Sequence, residues 1–342
     1  MRVTQQDIAK MASVSQATVS RVLSGDERVE SCIRERVQTV IREHNYKPDV
    51  RARSLRSKRT GLIGLVVKRP SGGLKDDPFF SNLTAEIMDF LSGRPYHLCV
   101  DMVTSDRGQD AIYDEMLRTR RVDGLILVES EASDERIHRL QAEGFPFVLI
   151  GNPMNGWSAT IMSVDNDNFL AGEMATRHLI EQGYRRIGFL GGPRGLTVSE
   201  DRFAGYCAAM ADRGRECRAW TSDFGCEAAR EIAAKILAEL ERPDALVVLD
   251  DFMAMGVVLA TRAIGLRIPD DLGLVSFNDS SLCDLLESGL SSVSLNIPEI
   301  VRHACGNLLR VIEQKDVGGP RRVIVPCELR ARGSSRRQAV PA

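Results

Sequence analysis

The sequence predicts a small all-α head carrying a helix-turn-helix, a basic linker, and a larger α/β body of two similar lobes. Three observations predict it. A chain of 342 residues is longer than one ordinary hydrophobic core holds. Between residues 4 and 45 the apolar positions recur at helical spacing in three short blocks. From residue 61 onward, apolar runs suited to buried parallel strands alternate with helical patterns, the signature of repeated strand–helix–strand units.

In the head, Thr4 offers a capping hydroxyl with Asp7 three residues on, close to a capping box. Ile8, Met11 and Ala12 then fall on one face. A tight turn, Ala12-Ser13-Val14, leads to Ser15, a good helix cap, and Val19, Val22 and Leu23 form the inward stripe of the second helix. Gly25 ends that helix. Ser31 is expected to cap the third, with Ile33, Val37, Val40 and Ile41 inward. The segment KPDVRARSLRSKRT (residues 47–60) is too basic and polar to have a core of its own, so it reads as a linker or hinge.

In the body, strands are expected at 62–67, 122–128, 145–150, 186–190, 245–249 and 272–277, and helices at 166–182, 199–213, 226–241 and 298–314. This much α/β sequence exceeds one usual sheet, so two lobes with a cleft between them are expected. The resulting boundaries are 1–47 for the head, 48–60 for the hinge, 61–335 for the body and 336–342 for a tail.

Composition narrows the function classes. With 43% apolar and 27% charged residues the chain has the profile of a soluble globular protein. No apolar run approaches the ~20 residues that cross a bilayer, and the N-terminus has no apolar signal region, so the cytoplasm is the expected compartment. Eight scattered cysteines show neither zinc-ligand spacing nor a disulfide framework. The net charge of −2 hides an asymmetry: residues 1–60 hold 13 basic and 7 acidic residues, the remainder 32 and 40. A basic head on an acidic body suits a nucleic-acid reader with a separate sensing domain, although small domains also carry spare charges.

The block SQATVSRVL (residues 15–23) sharpens that reading. On a helix, Gln16, Ala17, Ser20 and Arg21 project away from the Val19/Val22/Leu23 stripe. Gln suits adenine, Arg suits guanine, and Ala can touch a thymine methyl. Ser15, Thr18 and the helix N-terminus suit phosphate contacts. An ordinary amphipathic helix with a polar face is the alternative. In the hinge, Arg51, Arg53, Arg56, Lys58 and Arg59 surround one apolar residue, Leu55. A wedge pushed between base steps in the minor groove would use it; packing on the body is the other possibility.

These residues resemble the lac repressor (LacI/GalR) family of bacterial transcription regulators. The matching pieces include VTQQDIA (3–9), ASVSQATVSRVL (12–23), YKP (46–48), ARSL (52–55), DPFF (77–80), VDGLIL (122–127), VDN (164–166), DRFAGY (201–206), SFND (276–279) and ELRAR (328–332), in family order over nearly the whole chain. The resemblance implies a hinge helix, a periplasmic-binding-protein-like two-lobed body, and a homodimer on a palindromic double-stranded DNA operator. Gln16, Ala17 and Arg21 match the family's major-groove reading positions and Leu55 its minor-groove leucine; Thr4, Ser15, Thr18, Ser20 and Arg53 complete the expected DNA contacts. Two departures stand in the head: Ser13 replaces the usual turn glycine, at a strain of about 1 kcal/mol, and Glu30 stands where a serine is common.

Ligands of open α/β sheets sit beyond the carboxyl ends of the strands. Candidate effector contacts there, or at matching family positions, are Phe79 and Phe224 as walls, Arg202 as a forked donor beginning a helix, and Asp250 and Asn278 at strand ends. Core packing for Phe79, a surface ion pair for Arg202 and helix capping for Asp250 or Asp251 are the alternatives; Asp251 is the favoured cap. Many family members have Asn-Asp where this chain has Asp250-Asp251, and an acid where it has Asn278. Hydroxyl-reading groups point to a carbohydrate-derived effector, with a nucleobase or phosphorylated metabolite as alternatives. The polar stretch after Arg332 is too short for leucine heptads, so a dimer rather than a tetramer is expected.

Rival functions lack their signatures. Dinucleotide, P-loop, nucleophile-elbow and zincin motifs are absent. The loop GGPRG (191–195) is expected to line the cleft rather than to cradle phosphate. DND (165–167) resembles the start of a calcium loop, but Thr176 stands where the twelfth-position Glu belongs. No cofactor, metal or catalytic group is expected. A sugar-transport protein would need an export signal and no head. Control by a protein coregulator, and activation instead of repression, remain open alternatives.

Overall fold

The computed structural model describes residues 3–23, 25–46, 59–68, 77–131, 134–153, 160–314 and 321–337. The chain divides into two units, residues 1–60 and 61–342.

The first unit is built on α1 (Gln5–Met11), α2 (Gln16–Leu23) and α3 (Ser31–Glu43). The capping box forms: Thr4 Oγ1 accepts from the Asp7 amide at 3.3 Å, and the Asp7 carboxylate accepts from the Thr4 amide at 2.9 Å. Ser15 Oγ accepts from the Thr18 amide at 3.1 Å. Ile8, Ala12, Val19 and Val37 are fully buried and knit the three helices into one small core. Ser13 sits at φ +51°, the left-handed conformation that a glycine would hold without strain. Two expectations are corrected. Ser31 is the first helical residue of α3; Glu30 occupies the cap position and makes no side-chain capping bond. Met11, expected inward, is exposed. The hinge residues 48–58, with Arg53 and Leu55, lie outside the described residues.

The second unit has two lobes. In lobe 1, β1 (Leu62–Lys68), β2 (His97–Val103), β3 (Gly124–Val128), β4 (Phe147–Ile150), β5 (Ser163–Asn166) and β11 (Arg322–Val325) form a parallel sheet in the order β11-β5-β4-β3-β1-β2. In lobe 2, β6 (Ile187–Gly191), β7 (Ala219–Thr221), β8 (Ala245–Val248), β9 (Gly273–Phe277), β10 (Ser291–Ser294) and β12 (Glu328–Arg330) follow the order β12-β10-β9-β8-β6-β7, with only β12 antiparallel. Helices α4 (Pro78–Leu91), α5 (Asp106–Thr119), α6 (Glu135–Ala142) and α11 (Ile297–Ile312) cover the first sheet. Helices α7 (Asn168–Glu181), α8 (Thr197–Ala211), α9 (Cys226–Leu237) and α10 (Asp251–Ala263) cover the second.

The six strands expected from apolar runs are the central ones; those that sequence reading did not name are edge strands or their neighbours. An edge strand is covered on fewer sides and need not be apolar. Strand β10 shows a second route to burial. Its Ser291 and Ser292 are fully buried because Ser335, Arg332 and Asp251 supply their hydrogen bonds.

The chain crosses between the lobes after β5, after β10 and between β11 and β12. Asn166, buried at the first crossing, donates from its amide to Leu295 O at 3.0 Å and Val325 O at 2.8 Å, one on each of the other two. Helices α7 and α8 approach at glycines. A Cβ on Gly172 would lie 2.1 Å from Arg202 O, and one on Gly205 1.9 Å from Phe169 O. That contact holds the Arg202 backbone against α7. Among the described residues no helix is long and apolar enough to cross a membrane.

Candidate functional site

Helix α2 buries Val19 and Val22 and leaves Gln16, Ala17 and Arg21 exposed, with Thr18 and Ser20 half-buried. No acidic side chain lies in its first turn, so the helix N-terminus, whose first N–H groups have no intrahelical partner, suits an anion. Ser15 and Thr18 pair their hydroxyls at 2.9 Å at that end. Thr4 is exposed, but its hydroxyl already engages the Asp7 carboxylate at 2.6 Å.

In the second unit, Phe79, Arg202, Phe224, Asp250 and Asn278 all line one cavity between the lobes. The sheet geometry explains the convergence: Asp250 lies just past β8, Asn278 directly after β9, and Phe79 in the first turn of α4. Phe79 is half-buried and meets Phe80 edge-on at 5.4 Å, so it is both part of the lobe 1 core surface and a cavity wall. Asn278 adopts φ +100°, which turns the chain sharply out of β9.

Arg202 does not begin a helix as expected; it sits inside α8, which starts at Thr197. It is only 4% exposed. Its Nε donates to Asn168 Oδ1 at 3.0 Å and its Nη1 to Leu249 O at 2.8 Å, while the guanidinium lies 4.2 Å over the Phe277 ring. Burial pulls it down to about 10, against the opposing pull of Asp165 and Asp250, so it stays charged at neutral pH.

The cap of α10 falls on the other of the two neighbouring aspartates, while Asp250 lines the cavity as expected. Asp250 caps α10, with Oδ1 accepting from the Met253 amide at 2.7 Å. Asp251 is not the cap: it is buried and accepts from Ser276 Oγ at 2.5 Å, Ser292 Oγ at 2.8 Å and the Ser280 amide at 2.7 Å. It therefore pins α10 to β9, β10 and the loop between them. Burial raises both carboxyls, Asp250 to about 7. Asp279 faces away from the cavity, paired with Arg332 at 2.8 Å.

Sequence reading missed several lining residues. Asp77 caps α4 by accepting from the Phe80 amide at 3.2 Å; its position before a proline was the available signal. Asp165, at the end of β5, is pushed up to about 6 by burial and accepts from Asn168 Nδ2 at 3.1 Å. Ser130 of lobe 1 and Thr197 of lobe 2 share hydrogen at 2.8 Å, and Asn152 donates to Asp201 at 2.9 Å, so polar contacts bridge the lobes beside the cavity. The GGPRG loop is a correction. Thr197 and Val198 line the cavity, whereas Gly191, Gly192, Pro193 and Arg194 face a separate concavity with Phe203 and Trp220. In DND, Asp167 caps α7 by accepting from the Leu170 amide at 2.9 Å. Among the described residues no His, Cys, Asp and Glu cluster could hold a metal.

Comparison with known proteins agrees with this geometry. Residues 4–49 match the family model described as bacterial regulatory proteins, lacI family, and residues 176–335 match a periplasmic binding protein-like domain. Catabolite control protein A of Staphylococcus xylosus is 30% identical over 98% of this chain and 100% of its own. The ribose operon repressor of Halalkalibacterium halodurans is 31% identical over 91% of each. The solved structure of a complex of the transcriptional regulator CelR with cellobiose is 27% identical, covers 97% of this chain and 100% of its own, and superposes with a TM-score of 0.74. The chain belongs to the lacI family of bacterial regulatory proteins.

Proposed function

We propose that this transcription regulator is a cytoplasmic homodimeric repressor, without enzymatic activity, whose affinity for a palindromic operator is set by a carbohydrate-derived effector in the interlobe cavity. The observation that carries the reading is the outward face of α2. Gln16, Ala17 and Arg21 stand exposed on a helix whose other face is locked by Val19 and Val22. In this reading they contact base edges in the major groove, with Ser20 beside them, while Ser15, Thr18 and Thr4 meet phosphates. Residues 48–60 form the hinge, in which Arg53 meets the backbone and Leu55 is the minor-groove wedge. Residues 61–335 sense the effector and dimerise, and 336–342 are a tail. Exposed apolar side chains at Met88, Val100, Met102, Leu259 and Leu285 supply surface for the dimer contact. The cellobiose bound by CelR and the ribose operon controlled by the Halalkalibacterium repressor support a sugar-class effector.

Selection of operators from random DNA by the full-length protein, followed by binding of the Leu55→Ala variant, tests this. A palindromic consensus is expected. Leu55→Ala is expected to lose far more specific than nonspecific affinity, because it removes a wedge and no charge. A non-palindromic consensus, or equal losses, would count against the scheme.

A further inference from the structure

We propose that Cys207 and Cys217 form a peroxide-sensitive thiol pair, which closes to a reversible disulfide beside the edge strand of lobe 2. Neither residue lines the interlobe cavity, so the site is separate from the effector reading and does not rest on it.

The path of the chain brings the two sulfurs together. Helix α8 ends at Ala211, and the chain reverses over the next residues, with Gly214 at φ +62°. The Gly214 amide donates to Ala211 O at 2.9 Å and the Arg215 amide to Met210 O at 3.0 Å. The returning strand is then clamped to the helix a second time: Tyr206 Oη, fully buried, accepts from the Arg218 amide at 2.9 Å. Met210 with Arg215, and Tyr206 with Arg218, are therefore matched across the reversal. Cys207 and Cys217 lie between these two clamps, one on each side. Cys207 Sγ–H donates to Cys217 Sγ across the gap. Cys32 and Cys99 meet Glu30 and Arg121 instead.

The two thiols have different surroundings, and these divide the work. Cys217 is exposed, so a peroxide reaches it directly. Cys207 is half-buried and packs on the lobe 2 core. Burial first, and then the neighbouring thiol, push it up to about 12, so it keeps its proton at neutral pH and waits as the resolving group.

The chemistry balances with hydrogen peroxide as the oxidant. Cys217 gives up its proton to solvent, and its sulfur attacks one peroxide oxygen. The O–O bond breaks, leaving a sulfenic acid on Cys217 and a hydroxide that takes a proton to become water. Cys207 Sγ then attacks the sulfenic sulfur. The S–S bond forms, the S–O bond breaks, and the departing hydroxide leaves as water with the Cys207 proton. Two thiols and one peroxide become one disulfide and two waters. Because one sulfur of the bond faces solvent, an external thiol can attack it and restore the pair.

Peptide mapping of the reduced full-length protein after a pulse of hydrogen peroxide tests this, with free thiols alkylated before digestion. The tryptic peptides 203–213 and 216–218 are expected to appear joined, two hydrogens lighter than their sum, and to separate on treatment with dithiothreitol. In Cys217→Ser the joined peptide is expected to vanish, and Cys207 to be oxidised at least about tenfold more slowly than in the parent. In Cys207→Ser the sulfenic acid on Cys217 is expected to persist and to be captured by dimedone. Cys217 is exposed, so its serine variant tests the pair even where a change at Cys207 disturbs the core. Free Cys207 and Cys217 at a peroxide dose that oxidises the exposed Cys32 overturn the proposal. So does a bond from Cys217 to another cysteine or to a second copy of the chain, or a Cys207 that oxidises as fast without Cys217 as with it.

Discussion

Arg21 and Arg202 put the same guanidinium group in opposite settings. Arg21 stands exposed on α2, at the surface of a unit whose core is a handful of aliphatic side chains. Arg202 is buried in α8, held by two hydrogen bonds and an aromatic face, with carboxylates near it. An exposed arginine can turn to a partner that brings its own negative charge without opening a core. A buried one is first a structural member, and whatever it contributes to a ligand comes on top of holding α7, α8 and β8 in place. The difference teaches that the proposed readers of the head are side chains the fold can spare. The proposed ligand contacts of the cavity are side chains the fold also needs.

The largest test of that contrast is Arg202→Ala. It removes a buried cation and leaves Asn168, Leu249 O and the facing carboxylates uncompensated, so a loss of about 3 kcal/mol in unfolding free energy is expected. Denaturant unfolding measures it; a variant as stable as the parent would break the comparison. Arg21→Ala is expected to weaken operator binding by about 1–3 kcal/mol and relax one base position per half-site. Its unfolding should stay within about 0.5 kcal/mol of the parent. Unchanged base preference would remove Arg21 from the readers. The smallest effects lie within the head: Thr4→Ala is expected to cost about 1 kcal/mol, as the loss of a working cap. Ser31→Ala should cost under about 0.5 kcal/mol, since Ser31 is the first residue of α3 and not its cap. A larger loss at Ser31 than at Thr4 would reverse that assignment.

Much of the architecture was legible because its signals are local. Helices α1, α2 and α3 announce themselves through caps and apolar spacing within a few residues, and the central strands through unbroken apolar runs. The cavity was legible at Asp250 and Asn278 because strand ends in open sheets converge. Asp77 and Asp165 were missed because a lone carboxylate beside a strand or a proline carries no local mark of what it faces. The cap was expected at Asp251 instead of Asp250 for a related reason. Both residues sit at a helix start, and which one caps depends on where Ser276, Ser280 and Ser292 lie, 25, 29 and 41 positions away.

The sequence by itself determined the division into a basic helical head and an acidic α/β body, the outward polar face of α2 and the identity of the central strands. These follow from propensity, periodicity and charge, which act over one or two turns of chain. Only the tertiary structure decided which polar groups are committed and which are left for a ligand. Arg202 bonds Asn168 and Leu249, and Asn166 joins Leu295 and Val325, across separations of 34 to 159 residues. A buried donor or acceptor must find a partner, and in a two-lobed fold threaded three times between its halves that partner is seldom a sequence neighbour.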